Sequence, residues 1–448
     1  ERAREFLQQR IEENAKKPRD KRKDPTKIQV SLSDPEAPLG RDKMKVYRPL
    51  YTVQYVIEPT SHLILGYQCD AAVCDTGTLA PMIDRVQEIV GGRLQCIMAD
   101  AAFYDEDNVD LDGENGTEFR RARLFVAGTM FHDWDWKAQY DFAGNEAEIK
   151  DAYIRYTGFG PAKITVGQFK QPFSLEELTS SKYITFMERS MATNAFSTSR
   201  RIGLGANGAG ENWTWAASVY GREEGDDTDG DEGYGAGARL TWAPWNEKTK
   251  VLHLGGSAAW EDPNDNDVRF RARPESHITS TRMVDTGNFP DPDTFTKYGV
   301  EAATVLGPFS LQGEYMLVQA QDDTSGISDP DFEGGYVYGS WFLTGESRNY
   351  KKGKFGRVSP KNPVGKGGIG AWELAARYST IDLDDGDFKG CEEDNITVGL
   401  NWYANKYVRF MANYVMTDTD PTSQRIQDDQ GVDDDELSVF QIRAQIDF

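Results

Sequence analysis

From about Tyr104 to the C-terminus, apolar and polar residues alternate with a period of two. In WDWKAQYDF, Trp134, Trp136, Ala138, Tyr140 and Phe142 take one side, and Asp135, Lys137, Gln139 and Asp141 the other. In AWELAARYS, Trp372, Leu374, Ala376 and Tyr378 oppose Glu373, Ala375, Arg377 and Ser379. In FQIRAQIDF, Phe440, Ile442, Ala444, Ile446 and Phe448 oppose Gln441, Arg443, Gln445 and Asp447. Because successive strand side chains point to opposite faces, each segment predicts a strand with one apolar and one polar face. About sixteen such segments follow: 93–103, 119–130, 133–143, 149–157, 162–169, 201–208, 212–221, 234–243, 249–261, 297–306, 309–319, 334–345, 370–381, 394–404, 406–417 and 437–448.

A soluble sandwich also alternates. The lengths and connections point elsewhere. Segments of about ten residues, tilted near 40°, cross a band of about 25 Å. Aromatics recur at their ends (Trp134, Trp213, Trp242, Trp260, Trp402, Phe448), where interfacial girdles sit. Long polar loops at 104–118, 170–200, 222–233, 262–296, 320–333, 382–393 and 418–436 alternate with short turns such as GFGP at 158 and GP at 307. Long on one side and short on the other is the connectivity of an outer-membrane barrel. In lipid an open sheet edge leaves backbone groups unpaired at several kcal/mol each, so the sheet must close. The expected fold is therefore all-β, a 16-stranded antiparallel transmembrane β-barrel.

Closure implies a lumen, and the polar faces supply basic side chains to it. Arg121, Arg123, Lys137, Arg155, Arg239, Arg377, Arg409 and Arg443 fall on inward positions. The loop 170–200 adds Lys170, Lys182, Arg189, Arg200 and Arg201, and the loop 262–296 adds Arg269, Arg271, Arg273 and Arg282. The one long connection on the short-turn side, ESRNYKKGKFGRVSPKNPVGKGG, is basic as well and is expected to reach toward the pore. Fixed positive charge at a narrowing is what anion selectivity requires, and low-dielectric walls focus that field.

Composition adjusts this picture in three ways. The chain of 448 residues carries a formal net charge of −23, concentrated in REEGDDTDGDEG, DLDDGD and DDQGVDDDE, which read as exterior loops. No run of about 18 apolar residues occurs, which excludes an ordinary transmembrane helix. Four cysteines without CxxC spacing and four scattered histidines predict neither a structural zinc, another metal site, a cofactor nor a disulfide framework.

The first hundred residues have a different character. Residues 1–27 form a charged segment with Phe6, Leu7 and Ile11 at helical spacing, and no apolar h-region of a secretory signal is visible. Over 28–91, strand-like runs (Leu50 to Ile57, His62 to Gln68) precede an amphipathic helix, Thr78 to Val90, an α/β fragment too short to be stable alone. Residues 92–448 are assigned to the barrel, its first strand at 92–103.

Two resemblances follow this division. The segments DPEAPLGRDKMKVYRPLYTVQY, SHLILGY, DTGTLAPMIDRV and ADAAF resemble the catalytic core of insertion-sequence DDE transposases over about residues 28–103. The resemblance places Asp100 at one of three Mg²⁺-holding carboxylates. The sequence after Phe103 leaves that family's pattern and supplies no third carboxylate, so Asp100 is expected to be a relic and the chain no enzyme. Over about 104–448, GTEFRRARLFVAGTM, YDFAG, GQFKQPFSLEELTSSKYITFMERS, RRIG, WFLTGESRNY, GAWELAARYS, NWYANKYVRFMANYV and FQIRAQIDF resemble the phosphate-selective porin O and P family.

That second resemblance implies a trimeric barrel in the bacterial outer membrane that carries inorganic anions, phosphate or polyphosphate, by passive diffusion. Its partners would be outer-membrane lipid, the permeating anions and the barrel-assembly machinery, which would read the terminal Phe448; no nucleic acid is expected for the barrel. The alternative is an inactive transposase fragment on a structural or non-selective barrel. A fusion in which the fragment replaces the start of the first strand accounts for both resemblances.

Overall fold

The computed structural model describes helical positions between 7 and 16, strand residues 39–41, 47–49, 52–57 and 64–70, and residues 116–448 apart from 146, 222–232, 264–267, 279–280, 289–292, 322–328, 387 and 421–435. The chain divides into two compact units, Glu1–Thr117 and Glu118–Phe448. In the first, Thr52–Ile57 pairs antiparallel with Ile64–Asp70, matching the two strand-like runs, and Leu39–Arg41 pairs with Tyr47–Pro49. The helix expected at Thr78 to Val90, the strand at 92–103 and Asp100 lie outside the described residues.

In the second unit a single 15-stranded sheet runs in chain order, every neighbour antiparallel. Its strands are β1 (Arg123–Met130), β2 (Trp134–Asp141), β3 (Glu148–Tyr156), β4 (Lys163–Lys170), β5 (Arg200–Ala209), β6 (Trp213–Tyr220), β7 (Tyr234–Asn246) and β8 (Lys250–Asp262). The remainder are β9 (Thr294–Leu306), β10 (Phe309–Gln321), β11 (Asp331–Phe342), β12 (Ala371–Asp385), β13 (Phe388–Tyr403), β14 (Val408–Asp420) and β15 (Glu436–Ile446). Among the described residues no helix is long and apolar enough to cross a membrane.

The two faces are the reverse of a soluble protein's. Outward positions expose Val300, Leu311, Val337, Leu374 and Val398, while inward neighbours on the same strands, Glu301, Glu314, Glu373 and Arg377, are buried. Apolar outside and polar inside is what lipid outside and a polar interior select. Aromatic pairs gather where strands meet the short turns: Trp372 stacks on Trp402 at 5.6 Å and Phe309 on Trp341 at 5.6 Å.

One connection departs from expectation. Residues 382–393, read as a long polar loop, are strand almost throughout, because β12 and β13 continue past their apolar stretch and turn tightly at Gly386. Their inward residues Ile381, Leu383, Phe388 and Cys391 join an apolar cluster with Phe332, Phe270 and Phe295, so burial continues where the outward face has become acidic.

Candidate functional site in the barrel interior

Three connections turn inward and fill part of the bore. The first, 171–199, joins β4 to β5 and carries two short helices, α1 (Leu175–Leu178) and α2 (Met191–Phe196). Ser174 and Ser190 cap them by accepting from the amides of Glu177 and Thr193. Phe173, Leu175, Phe186, Met191 and Phe196 are buried. A loop with this apolar content must have a wall to pack on, and it packs on the second half of the barrel. The Glu314 carboxylate on β10 accepts from the amides of Leu175 at 2.8 Å and Glu176 at 2.7 Å. Arg409 on β14 donates to the carbonyls of Ile184 and Thr185, both at 2.7 Å. Gln445 on β15 donates to the Lys182 carbonyl at 3.1 Å.

The second connection, 263–293, folds through a short pair, Arg271–Ala272 with Val284–Asp285. Its Glu275 accepts from Arg377 and Ser379 on β12 and, at 2.7 Å, from Thr397 on β13. The third, 343–370, enters from the opposite, short-turn end, as its length and charge suggested.

The sequence-predicted basic residues separate into three groups. Arg377, Arg409 and Arg239 are almost fully buried and hold the inward loops: Arg377 pairs with Glu275, Arg409 with loop carbonyls, and Arg239 Nη2, paired with Glu301 on β9 at 2.5 Å, with the Gly353 carbonyl at 2.8 Å. Several others sit in mixed-charge networks. Lys137 and Arg200 share the two oxygens of Asp151 at 2.5 and 2.7 Å. Arg123 meets Asp141 at 2.7 Å, Lys170 meets Glu177 at 2.7 Å, and Arg201 donates to the Arg200 carbonyl at 2.8 Å. Arg443 and Arg121 lie 2.5 and 3.7 Å from Glu188.

The last group brings several basic side chains close to one another. Arg155 donates to Thr165 Oγ1 at 2.9 Å and lies over the Tyr153 ring. Arg271 is exposed, and Arg273 has its Nε buried with no hydrogen-bond partner among the described residues. Burial, with Arg273 and Arg271 close by, pushes the Arg282 guanidinium down to about 10. Burial and the neighbouring Arg120 likewise lower Arg273. Neighbouring guanidinium groups thus add to burial in raising the cost of charge on Arg273 and Arg282. Lys354, on the third connection, is solvent-exposed yet enclosed by the wall; burial and the nearby Arg155, Arg239 and Lys137 pull it below the usual lysine range.

The open part of the bore follows from these burials. Inward side chains on β12 to β14, such as Arg377, Asn395 and Arg409, are sealed under the first two loops, whereas Lys137, Tyr153 and Arg155 on β2 and β3 remain partly exposed. These partly exposed inward side chains, with the exposed Lys354, lie on the side of the wall that the first two loops leave uncovered. Pattern reading found the basic residues but not their acidic partners, Asp151, Glu188, Glu275 and Glu301. Of these, Asp151 and Glu301 sit on inward strand positions that the alternation marks, while Glu188 and Glu275 lie in loops with no period to read.

The family described as phosphate-selective porin O and P matches residues 90–448. Porin O of Pseudomonas aeruginosa is 31% identical over 383 residues, spanning 76% of this chain and 85% of that protein. An uncharacterized protein of Caulobacter vibrioides is 34% identical over 315 residues, 68% of this chain and 63% of that protein's length. Among solved structures, a loop-deletion form of OmpT, an outer membrane protein of Vibrio cholerae, is 12% identical with a TM-score of 0.48, covering 75% of this chain and 93% of that one. The anion-selective porin from Comamonas acidovorans is 13% identical with a TM-score of 0.42, covering 68% and 80%.

Proposed function

Since the chain belongs to the phosphate-selective porin O and P family, whose members are outer-membrane channels and not enzymes, we propose that it passes phosphate or polyphosphate by passive diffusion through a lumen lined by Arg and Lys. The observation that carries this reading is the arginine group on the second inward loop. Burial and neighbouring arginines depress the charge of Arg273 and Arg282, and a multiply charged anion with several acceptor oxygens relieves that repulsion. From there the path descends to Lys137, Arg155 and Lys354, a succession of basic groups of the kind that conduction needs. The net charge of −23 does not oppose this, since selectivity follows the field inside the bore and not the total.

Reversal potentials across planar bilayers in a KCl gradient test the claim. A potential of anion sign, with chloride current blocked by added phosphate, is the expected result; cation selectivity overturns it. In the same reading the protein assembles as a homotrimer in outer-membrane lipid, and the exposed Phe448 is the group the barrel-assembly machinery reads.

A second reading concerns residues 28–103, where DTGTLAPMIDRV and ADAAF motivate a fused transposase fragment that has lost its activity. In that case the barrel is a structural or non-selective one. Long sequencing reads across codons 90–115 decide whether the fusion is real: a contiguous read supports it, and a break removes it.

A further inference from the structure

The third inward connection ends in a tight hairpin. Tyr350 bridges Phe355 antiparallel, the Lys351 amide donates to the Lys354 carbonyl at 2.9 Å, and Lys352 and Gly353 both have positive φ, 50° and 76°. That pair of left-handed residues is the signature of a two-residue turn whose twist suits a hairpin. The connection leaves from β11 and returns to β12, yet its tip lies against the far side of the bore. A Cβ on Gly353 would stand 3.0 Å from Thr214 Oγ1 on β6 and 3.1 Å from Thr241 Oγ1 on β7. The hairpin therefore crosses the lumen and presents Lys354 toward Arg155 and Lys137.

Four wall groups hold it there. Arg239 Nη2 on β7 donates to the Gly353 carbonyl at 2.8 Å and also to Glu301 on β9. His253 on β8, with no solvent exposure, places Nε2 2.9 Å from Glu301 and Nδ1 2.7 Å from the Tyr350 hydroxyl. Because the carboxylate only accepts, the imidazole carries a proton on Nε2, and in the tautomer with its only proton there Nδ1 accepts from Tyr350. Burial pushes the Tyr350 phenol up to about 12, so it stays a donor at working pH. Arg348 steadies the hairpin base, its guanidinium 3.6 Å over the Phe355 ring and its Nη1 donating to Gln312 at 3.0 Å.

We propose that His253 and Tyr350, backed by Glu301 and Arg239, form a latch that positions this crossbar and thereby sets the width and the anion preference of the channel. His253 and Tyr350 are positioning residues: neither faces the permeating ion, and they act through Lys354. The latch rests on the channel reading above. Sequence periodicity marks His253 and Glu301 as inward, but nothing in it indicates that the connection between β11 and β12 would reach them.

The test is single-channel recording of the full chain in planar bilayers, with heat-modifiable electrophoretic mobility confirming the folded barrel for each variant. Tyr350→Phe removes one hydroxyl and no packing. Losing one hydrogen bond of about 1 kcal/mol shifts an equilibrium about fivefold. The undocked state is therefore expected as a larger-conductance sublevel occupied about fivefold more often, with the anion-to-cation permeability ratio falling toward that of Lys354→Gln. His253→Leu is expected to do the same. His253→Asn, which keeps a polar group near the Nδ1 position, is expected to restore most of the parent behaviour; a packing role would favour leucine over asparagine.

Parent-like recordings from both Tyr350→Phe and His253→Leu, alongside a changed conductance on deleting residues 350–355, overturn the latch. If the unsubstituted channel is cation-selective, the anion reading falls, while the conductance sublevels still judge the latch separately.

Discussion

Arg120 and Arg443 approach from opposite ends of the sheet and meet on one carboxylate. Arg120, just ahead of β1, places Nη2 2.9 Å from Glu188 Oε2, and Arg443, on β15, places Nη2 2.5 Å from Oε1. Lys182 repeats the arrangement, lying over the Phe125 ring of β1 and 3.3 Å from Asp447 beyond β15. The first inward loop thus ties the two ends of the sheet from inside.

Replacing Glu188 with Gln leaves Arg120, Arg121 and Arg443 without their shared carboxylate. Removing one partner of a buried pair costs about 3–5 kcal/mol, and partial exposure of these arginines puts the expectation at the lower end. Urea denaturation of the folded barrel in detergent, followed by tryptophan fluorescence, reads the loss; an unchanged midpoint refutes the tie.

The outward face makes a separate prediction. Val398→Arg places a charge on the lipid side of β13, four residues in from the Trp402 stack, whereas the adjacent Thr397 points inward. A midplane arginine there costs about 2–4 kcal/mol. The barrel should fold into thin bilayers with a correspondingly lower unfolding free energy, and an effect near zero would mean that this strand does not face lipid.

How much of this could be read beforehand divides along physical lines. The strands were legible because each must satisfy lipid on one side and polar groups on the other, and that requirement writes a period of two into the sequence: 309–319 became Phe309–Gln321 and 406–417 became Val408–Asp420. Basic residues at inward positions, such as Arg377, were legible for the same reason. Their roles were not. Whether Arg377 lines water or grips Glu275 depends on where a loop without periodicity comes to rest, and the contact joins residues far apart in the chain. The extension of β12 and β13 was missed because above the lipid the outward face turns acidic and resembles a loop, while the inward face goes on burying Leu383 and Phe388.

For the ion path, Arg271→Gln together with Arg273→Gln should lower the anion-to-cation permeability ratio several-fold, without loss of folded barrel. One unit charge at about 5 Å in a water-like medium is worth about 0.8 kcal/mol, roughly fourfold in an ion's local occupancy. Reversal potentials at low ionic strength give the largest difference, since salt screens it.

Acid stability offers a check on the first loop's anchor. Burial pushes the Glu177 carboxyl up, but Arg189 and Lys170 overcome this and hold it to about 2. A folded-state pKa below the unfolded one, about 4.3, contributes stability that is complete above pH 4.3 and is lost as pH falls toward 2. Urea midpoints should therefore be insensitive to this group between pH 7 and about 5 and decline below pH 4. Glu177→Gln should flatten that acid limb; an identical limb in the variant would exclude the anchor.

The tie at Glu188 has a bearing on how such a chain can change over time. A cylinder fastened at its seam from within asks little of whatever strand fills the gap beyond backbone hydrogen bonds and a greasy outer face. The seam is then the place where a foreign segment can be grafted with least damage, and where an engineer would cut the circle open.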